Sequence, residues 1–218
     1  MNNKPFLLII GNSNVGKSSI TRLLLPNPKE FKGKIGKTPG STLLIKPISQ
    51  HNLDFNIVDL PGFGYTKHSS RRREEHIKKQ IVIHIEKHHK DYFLGLVVLN
   101  ILRLEDEIEK YFIYDEKAIP LSFELIQFLN EFNIPIVIIM NKIDKVSIFD
   151  RNRIINLFLN SAKEYSLNLI HLNNYTFDSR SKIPYIEFSA LKKINLHELK
   201  SIIQKFLKNS SNFRSQNI

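Results

Sequence analysis

Cysteine is absent from this chain of 218 residues. Without thiols there are no disulfides and no thiolate metal ligands, an absence suited to a reducing cytoplasm. Long hydrophobic runs are missing too. The first apolar run, Phe6–Ile10, is too short for a signal peptide or a membrane span, so a soluble, intracellular protein is expected. No internal repeat is present. Acidic residues are outnumbered: 21 Asp and Glu face 32 Lys and Arg, leaving a formal net charge of +11. Such a surplus favours polyanionic partners through counterion release, ribosomal RNA being the abundant one. From charge alone, a solvated Lys-rich surface reads equally well.

The length suits one domain with a sizeable core. Apolar runs bounded by loop residues predict strands over 6–10, 42–48, 53–58, 94–101, 134–140 and 184–188. Several are continuous Ile, Val and Leu runs, as in strands buried on both faces of a mostly parallel sheet. Amphipathic patterns predict helices over 16–25, 70–90, 121–132, 148–165 and 196–207. This alternation implies a doubly wound α/β fold of about six strands with helices on both faces. Leu43 and Leu53, joined through residues 49–52, suggest a hairpin and one antiparallel edge strand. The acidic, aromatic segment 103–118 and the Asn- and Ser-rich segment 166–183 do not fit a minimal domain, and the latter reads as a surface loop. Residues 1–208 are expected to form the domain, with 209–218 a polar, frayed tail.

Gly11, Asn12, Ser13, Asn14, Val15, Gly16, Lys17 and Ser18 satisfy the spacing G-x-x-x-x-G-K-[ST] between an apolar strand and a helix. In that context the spacing makes a phosphate-binding loop. Its glycines let successive N–H groups and the helix N-terminus face an anion. Lys17 would reach the β- and γ-phosphates of a nucleotide, and the Ser18 hydroxyl would ligate Mg²⁺. Asp59, Leu60, Pro61 and Gly62 follow the strand at 53–58; the carboxylate can hold Mg²⁺ through water while the Gly62 N–H senses the γ-phosphate.

Asn141, Lys142, Ile143 and Asp144 end the strand at 134–140. Asp144 can accept both donors of guanine's Watson–Crick edge, a pair that adenine lacks. Asn141 would brace the pocket, and the Lys142 stem would cover one ring face. Phe188, Ser189 and Ala190 close the last strand, where the Ala190 N–H can donate to guanine O6. Taken in this order, the elements imply GTP rather than ATP as ligand. Between the first two lie Gly40, Ser41, Thr42, Leu43 and Leu44. A Thr there can complete Mg²⁺ coordination and let go after hydrolysis. Thr42 is preferred over Thr38 because it adjoins the next strand, although local chemistry leaves both open.

Ras-type GTPases place a water-orienting Gln where this chain has Phe63, so hydrolysis is expected to be slow. Asn14 is a candidate to compensate. Its amide oxygen could help hold a monovalent cation beside the phosphates, or it could simply brace the loop.

These strings resemble the EngB (YihA, YsxC) GTPases of the TrmE–Era–EngA–EngB group. The likeness rests on G-N-S-N-V-G-K-S-S from Gly11, K-T-P-G-S-T from Lys37, D-L-P-G-F-G-Y from Asp59 and F-S-A-L-K-K from Phe188. Bacterial members usually have T-K-x-D where Asn141 opens the motif here. Segment 103–118, followed by Ile119, Pro120, Phe128 and Leu129, looks like archaeal members. Ser41 stands where the family often has a basic residue.

The resemblance implies a P-loop NTPase of the Ras-like G-domain type. Lys17, Thr42, Gly62 and Asn14 would be its catalytic set, Ser18 and Thr42 its Mg²⁺ ligands, and K⁺ a candidate second cation. It also implies a cytoplasmic GTPase, expected to be a monomer off the membrane. The implied task is large ribosomal subunit assembly, with a family link to cell division and septation. The competing expectation is a division-site or membrane-associated switch that binds no RNA. The basic run ending in Arg71, Arg72 and Arg73 favours RNA, against a solvated helix start.

Overall fold

The computed structural model describes residues 4–31, 45, 47–62, 71–114, 119–178 and 181–215; for 71–74, 111–114 and 212–215 it describes the backbone alone. The elements run β1 (Phe6–Ile10), α1 (Lys17–Leu24), β2 (Asn56–Asp59), α2 (Arg71–His88), β3 (Tyr92–Asn100) and α3 (Ile101–Tyr114). They continue with α4 (Leu121–Glu131), β4 (Ile136–Asn141), α5 (Ile148–Glu164), β5 (Leu169–His171), β6 (Ile183–Phe188) and α6 (Leu196–Ser215). The strands form one sheet in the order β2-β1-β3-β4-β6-β5, and every pairing between named strands is parallel.

Successive side chains of a strand point to opposite faces, and the core divides accordingly. Leu8 and Ile10 of β1 pack with Ile81 and Ile85 of α2, Leu104 and Ile108 of α3, Phe123 of α4 and Phe158 of α5. Leu7 and Ile9 turn the other way, onto Ile20 of α1 and Leu199, Ile202 and Ile203 of α6. Helices therefore cover both faces, which is why the central strands are apolar throughout. From β1 the chain moves to β2 on one side and to β3 on the other. That reversal opens a crevice at the carboxyl ends of the strands, where ligands of open α/β sheets bind.

Several expectations need correction. Segment 103–118, left without a place in a minimal domain, is helical as far as Tyr114, because Ile101, Leu104 and Ile108 recur at helical spacing and all three are buried. Within 166–183 lies a three-residue edge strand, β5, which pairs with β6. β2 begins at Asn56 rather than Leu53; the Lys4 ammonium donates to the Leu53 carbonyl at 2.7 Å, before the Asn56 N–H joins the Pro5 carbonyl at 2.9 Å. Most of the first strand of the expected hairpin, 42–44 and 46, lies outside the described residues; the described part carries an antiparallel bridge between Ile48 and Ile57. Residues 209–215 continue α6 instead of fraying, with Ser210 and Ser211 donating back to the Leu207 carbonyl.

Candidate functional site

β1 ends at Ile10, and the chain turns through Gly11 to Gly16 before α1 starts at Lys17. Gly16 has φ +106° and Asn14 φ +63°, both left-handed. Gly16 takes that geometry without steric cost, and Asn tolerates it better than most residues. A Cβ at Gly16 would meet Asn141 Nδ2 at 2.3 Å, so the loop lies directly against the end of β4. Gly62 is equally constrained, since its Cβ would come within 2.6 Å of Ser13 Cα.

The Lys17 side chain folds over this loop. Its ammonium donates to the carbonyls of Gly11 at 3.0 Å and Asn12 at 2.8 Å, and the residue is 8% exposed. Burial pushes its pKa down to about 8, opposed by the Asp59 carboxylate. Asp59, at the end of β2, is held above the usual carboxylate range by its own burial. Lys17 and the hydroxyls of Ser18 and Thr21 pull the other way. One carboxylate oxygen of Asp59, Oδ1, is buried with no hydrogen-bond partner among the described residues. The Thr21 hydroxyl was not singled out from sequence; its place one turn beyond Lys17 was the available signal. A cleft of about 600 Å³ opens here, bounded by Ser13, Asn14, Lys17, Ser18, Gly62 and Lys142.

The second half of the site is built by β4 and β6, whose ends are in register at Asn141 and Phe188. Asn141 is buried and clamps two loops at once. Its Nδ2 donates to the Val15 carbonyl at 2.8 Å, and its Oδ1 accepts the Ala190 N–H at 3.0 Å. Lys142 adopts φ +72° and donates to the Asn14 carbonyl at 2.7 Å. Asp144 is half-buried, and Ser189 Oγ donates to its Oδ1 at 2.6 Å. The structure thus brings together Gly11 to Ser18, Asp59 to Gly62, Asn141 to Asp144, and Ser189 with Ala190. Phe188 and Ile143 are buried beneath them as core. Gly40, Ser41, Thr42, Leu43 and Leu44, with Thr38 and Phe63, lie outside the described residues, and of Arg71, Arg72 and Arg73 only the helical backbone is described. A larger cavity of about 930 Å³, lined by Tyr92, Ile134 and Ile183, is at the opposite, amino-terminal ends of the strands and holds none of the predicted residues.

A phosphate-binding loop at the switch point of a parallel sheet, clamped to a strand end that carries N-K-I-D, defines a Ras-like G domain. The sequence profile of the family described as 50S ribosome-binding GTPase matches residues 6–142. The chain is 36% identical over 154 residues to a probable GTP-binding protein EngB of Methanococcus aeolicus, covering 70% of this chain and 64% of that protein. It is 37% identical to the EngB protein of Methanopyrus kandleri, with 65% and 67% covered, and 33% identical to that of Halobacterium salinarum, with 69% of each covered. The chain therefore spans just under two thirds of the M. aeolicus relative's length. The crystal structure of a probable GTP-binding protein EngB superposes with a TM-score of 0.72 at 27% identity, covering 94% of this chain and 99% of that one. Era, in complex with MgGDPNP and part of 16S ribosomal RNA, shares the fold alone, at 21% identity and a TM-score of 0.58. This chain belongs to the EngB family of GTP-binding GTPases, and its curated relatives named here are archaeal.

Proposed function

We propose that the chain binds GTP with Mg²⁺, hydrolyses it to GDP and phosphate, and acts as a switch in assembly of the large ribosomal subunit. The observation that carries the reading is the double clamp of Asn141, which ties the Val15 carbonyl of the phosphate loop to the Ala190 amide of the base pocket. One nucleotide can then be gripped at both ends. Asp144 selects guanine through N1–H and the exocyclic amine, and the Ala190 N–H, exchanging Asn141 Oδ1 for guanine O6 when the base enters, favours that oxygen over the amine of adenine.

The residues present fit Mg²⁺. The buried, unpartnered Oδ1 of Asp59 and the neighbouring Ser18 hydroxyl are hard oxygen donors. Ser18 and Thr42 would ligate the ion and Asp59 would hold it through water. The ion would supply neutralisation of charge on the phosphate oxygens. Lys17 exchanges its two loop carbonyls for the β- and γ-phosphates. Gly62 aims its N–H at the γ-phosphate. Water attacks the γ-phosphorus, the bond to the β-phosphate oxygen breaks, and GDP leaves. With Phe63 in place of a water-orienting Gln, intrinsic turnover is slow, and Asn14 with K⁺ offers partial compensation.

The description of the matching family as 50S ribosome-binding and the net charge of +11 support the ribosomal role. A link to division and septation follows indirectly, through ribosome supply. The protein works in the cytoplasm as a monomer, and Arg71, Arg72 and Arg73 contribute to RNA contact. Two measurements test this. Wild-type protein should prefer GTP over ATP in equilibrium binding; equal affinities end the nucleotide reading. It should also co-sediment with large subunits in a nucleotide-dependent, salt-sensitive way that Arg71→Ala/Arg72→Ala/Arg73→Ala weakens, because phosphate contacts lose affinity steeply with salt. Salt-independent sedimentation, or none with either nucleotide, would refute the ribosomal role.

A further inference from the structure

Six large hydrophobic side chains are exposed among the described residues, and four of them, Ile148, Phe149, Leu191 and Ile194, lie on the two segments that frame the base pocket. Phe149 is 75% exposed, and Ile148 and Leu191 are 69% exposed. Ile148 and Phe149 open α5, just past Asp144. Leu191 and Ile194 sit in the turn that follows Ala190. The two segments are held together by the bond from Ser189 Oγ to Asp144 and by the Arg151–Glu187 ion pair at 3.1 Å.

The fold does not need these residues to be apolar. α5 is capped by Ser147, whose Oγ accepts the Asp150 N–H at 3.1 Å, and it is anchored inward by Ile154, Ile155 and Phe158. Polar residues in its first turn would serve the helix equally well. A cluster of exposed apolar side chains on one rim marks an interaction site, whereas scattered ones do not.

The charges on the same segments narrow the partner. Lys145, Lys192 and Lys193 are exposed there, while Asp150 is engaged with the Ser147 hydroxyl at 2.7 Å. A second copy of this chain would bring these lysines face to face, in a protein already carrying +11. Single-stranded nucleic acid is grasped by aromatic rings, and three of the four side chains here are aliphatic. Exposed apolar side chains with exposed lysines on the same two segments match an amphipathic protein segment with carboxylates along its border. We propose that this rim docks an acidic amphipathic segment of a partner protein, and that docking alters how long the guanine nucleotide stays bound. The docking stands by itself. Its coupling to nucleotide rests on the reading of Asp144, Ser189 and Ala190 as the base pocket.

The probe is a fluorescent helical peptide of about 15 residues, with Leu and Phe along one face and Glu along the other, titrated into the full chain. Wild-type protein should bind it about tenfold or more tightly than a Lys-for-Glu version. The double variant Ile148→Ser/Phe149→Ser should lose about tenfold or more in affinity, with its melting temperature unchanged because both side chains are exposed. Saturating peptide should change the release rate of fluorescent GDP from wild type and not from the variant. Equal binding by wild type and variant overturns the docking site. So does tighter binding of a single-stranded RNA of about 12 nucleotides that the variant loses. Unchanged GDP release overturns the coupling. Peptide binding by a chain that takes up no guanine nucleotide leaves the docking site standing and removes the function proposed above.

Discussion

Ser189 Oγ donates to Asp144 Oδ1 at 2.6 Å, and the same hydroxyl oxygen accepts the Lys192 N–H at 3.0 Å. The hydroxyl therefore fixes one carboxylate oxygen and ties it to the turn after β6. For Asp144→Asn, GTP affinity is expected to fall and affinity for xanthosine nucleotides to rise, because xanthine carries an acceptor where guanine has its amine. A site that pairs its ligand this way can discriminate by ~10⁴ or more. Competition binding with both nucleotides decides it, and a variant that keeps GTP preference would remove Asp144 from the base pocket.

Lys17 gives a pH signature. Its pKa is about 8 in the fold against 10.5 ordinarily, so between these values the unfolded chain binds the proton more tightly. Stability of the nucleotide-free protein from this group thus rises with pH across that window and is flat below it. GTP affinity moves the opposite way, falling above about pH 8, since only the ammonium attracts phosphate. Thermal melts of wild type and Lys17→Met at pH values spanning the window isolate the effect. A constant difference in melting temperature between the two would contradict it.

Asn14 bears on the cation. Its left-handed backbone and its carbonyl contact with Lys142 are loop features that a glycine can keep, so Asn14→Gly removes the amide with little strain. GTP turnover in KCl should exceed that in NaCl at equal ionic strength, an advantage of about tenfold being a modest share of what an arginine finger supplies. Asn14→Gly should erase the difference and keep GTP binding. Equal wild-type rates in the two salts would return Asn14 to a bracing role.

α3 is expected to be part of the cooperative core. Ile108 is buried against it, and Glu105 of α3 pairs with Arg153 of α5, at 2.8 Å between Oε2 and Nη2. Ile108→Ala should cost ~2 to 5 kcal/mol in urea unfolding, while Glu105→Ala, at an exposed ion pair, should cost under ~1 kcal/mol. A near-neutral Ile108→Ala would mean that α3 is only loosely attached.

The candidate phosphate and base motifs stand out because they are local: Lys17 starts α1, Asp59 ends β2 and Asn141 ends β4, elements that apolar runs announce. The strand order was not stated by any one residue, yet alternating strands and helices implied its parallel sense. α3 was missed because its acidic surface residues, among them Glu105 and Glu109, masked the spacing of Leu104 and Ile108. β5 has three residues, below the length at which periodicity has meaning, and it exists through pairing with β6. The posture of Lys17 over the Gly11 and Asn12 carbonyls depends on the loop's closed shape, which spacing alone does not specify. Neither does sequence show that Phe149 and Leu191, far apart in the chain, frame one rim.

Asn141 Nδ2 occupies the space that any side chain at position 16 would need. On the function proposed above, the grip on phosphate and the choice of base are therefore parts of one interlocked piece, separated by the width of a missing methyl group. A lineage drifting toward another base could not remodel the end of β4 and leave the loop behind; both would have to change in concert. That mutual dependence narrows the substitutions open to either segment.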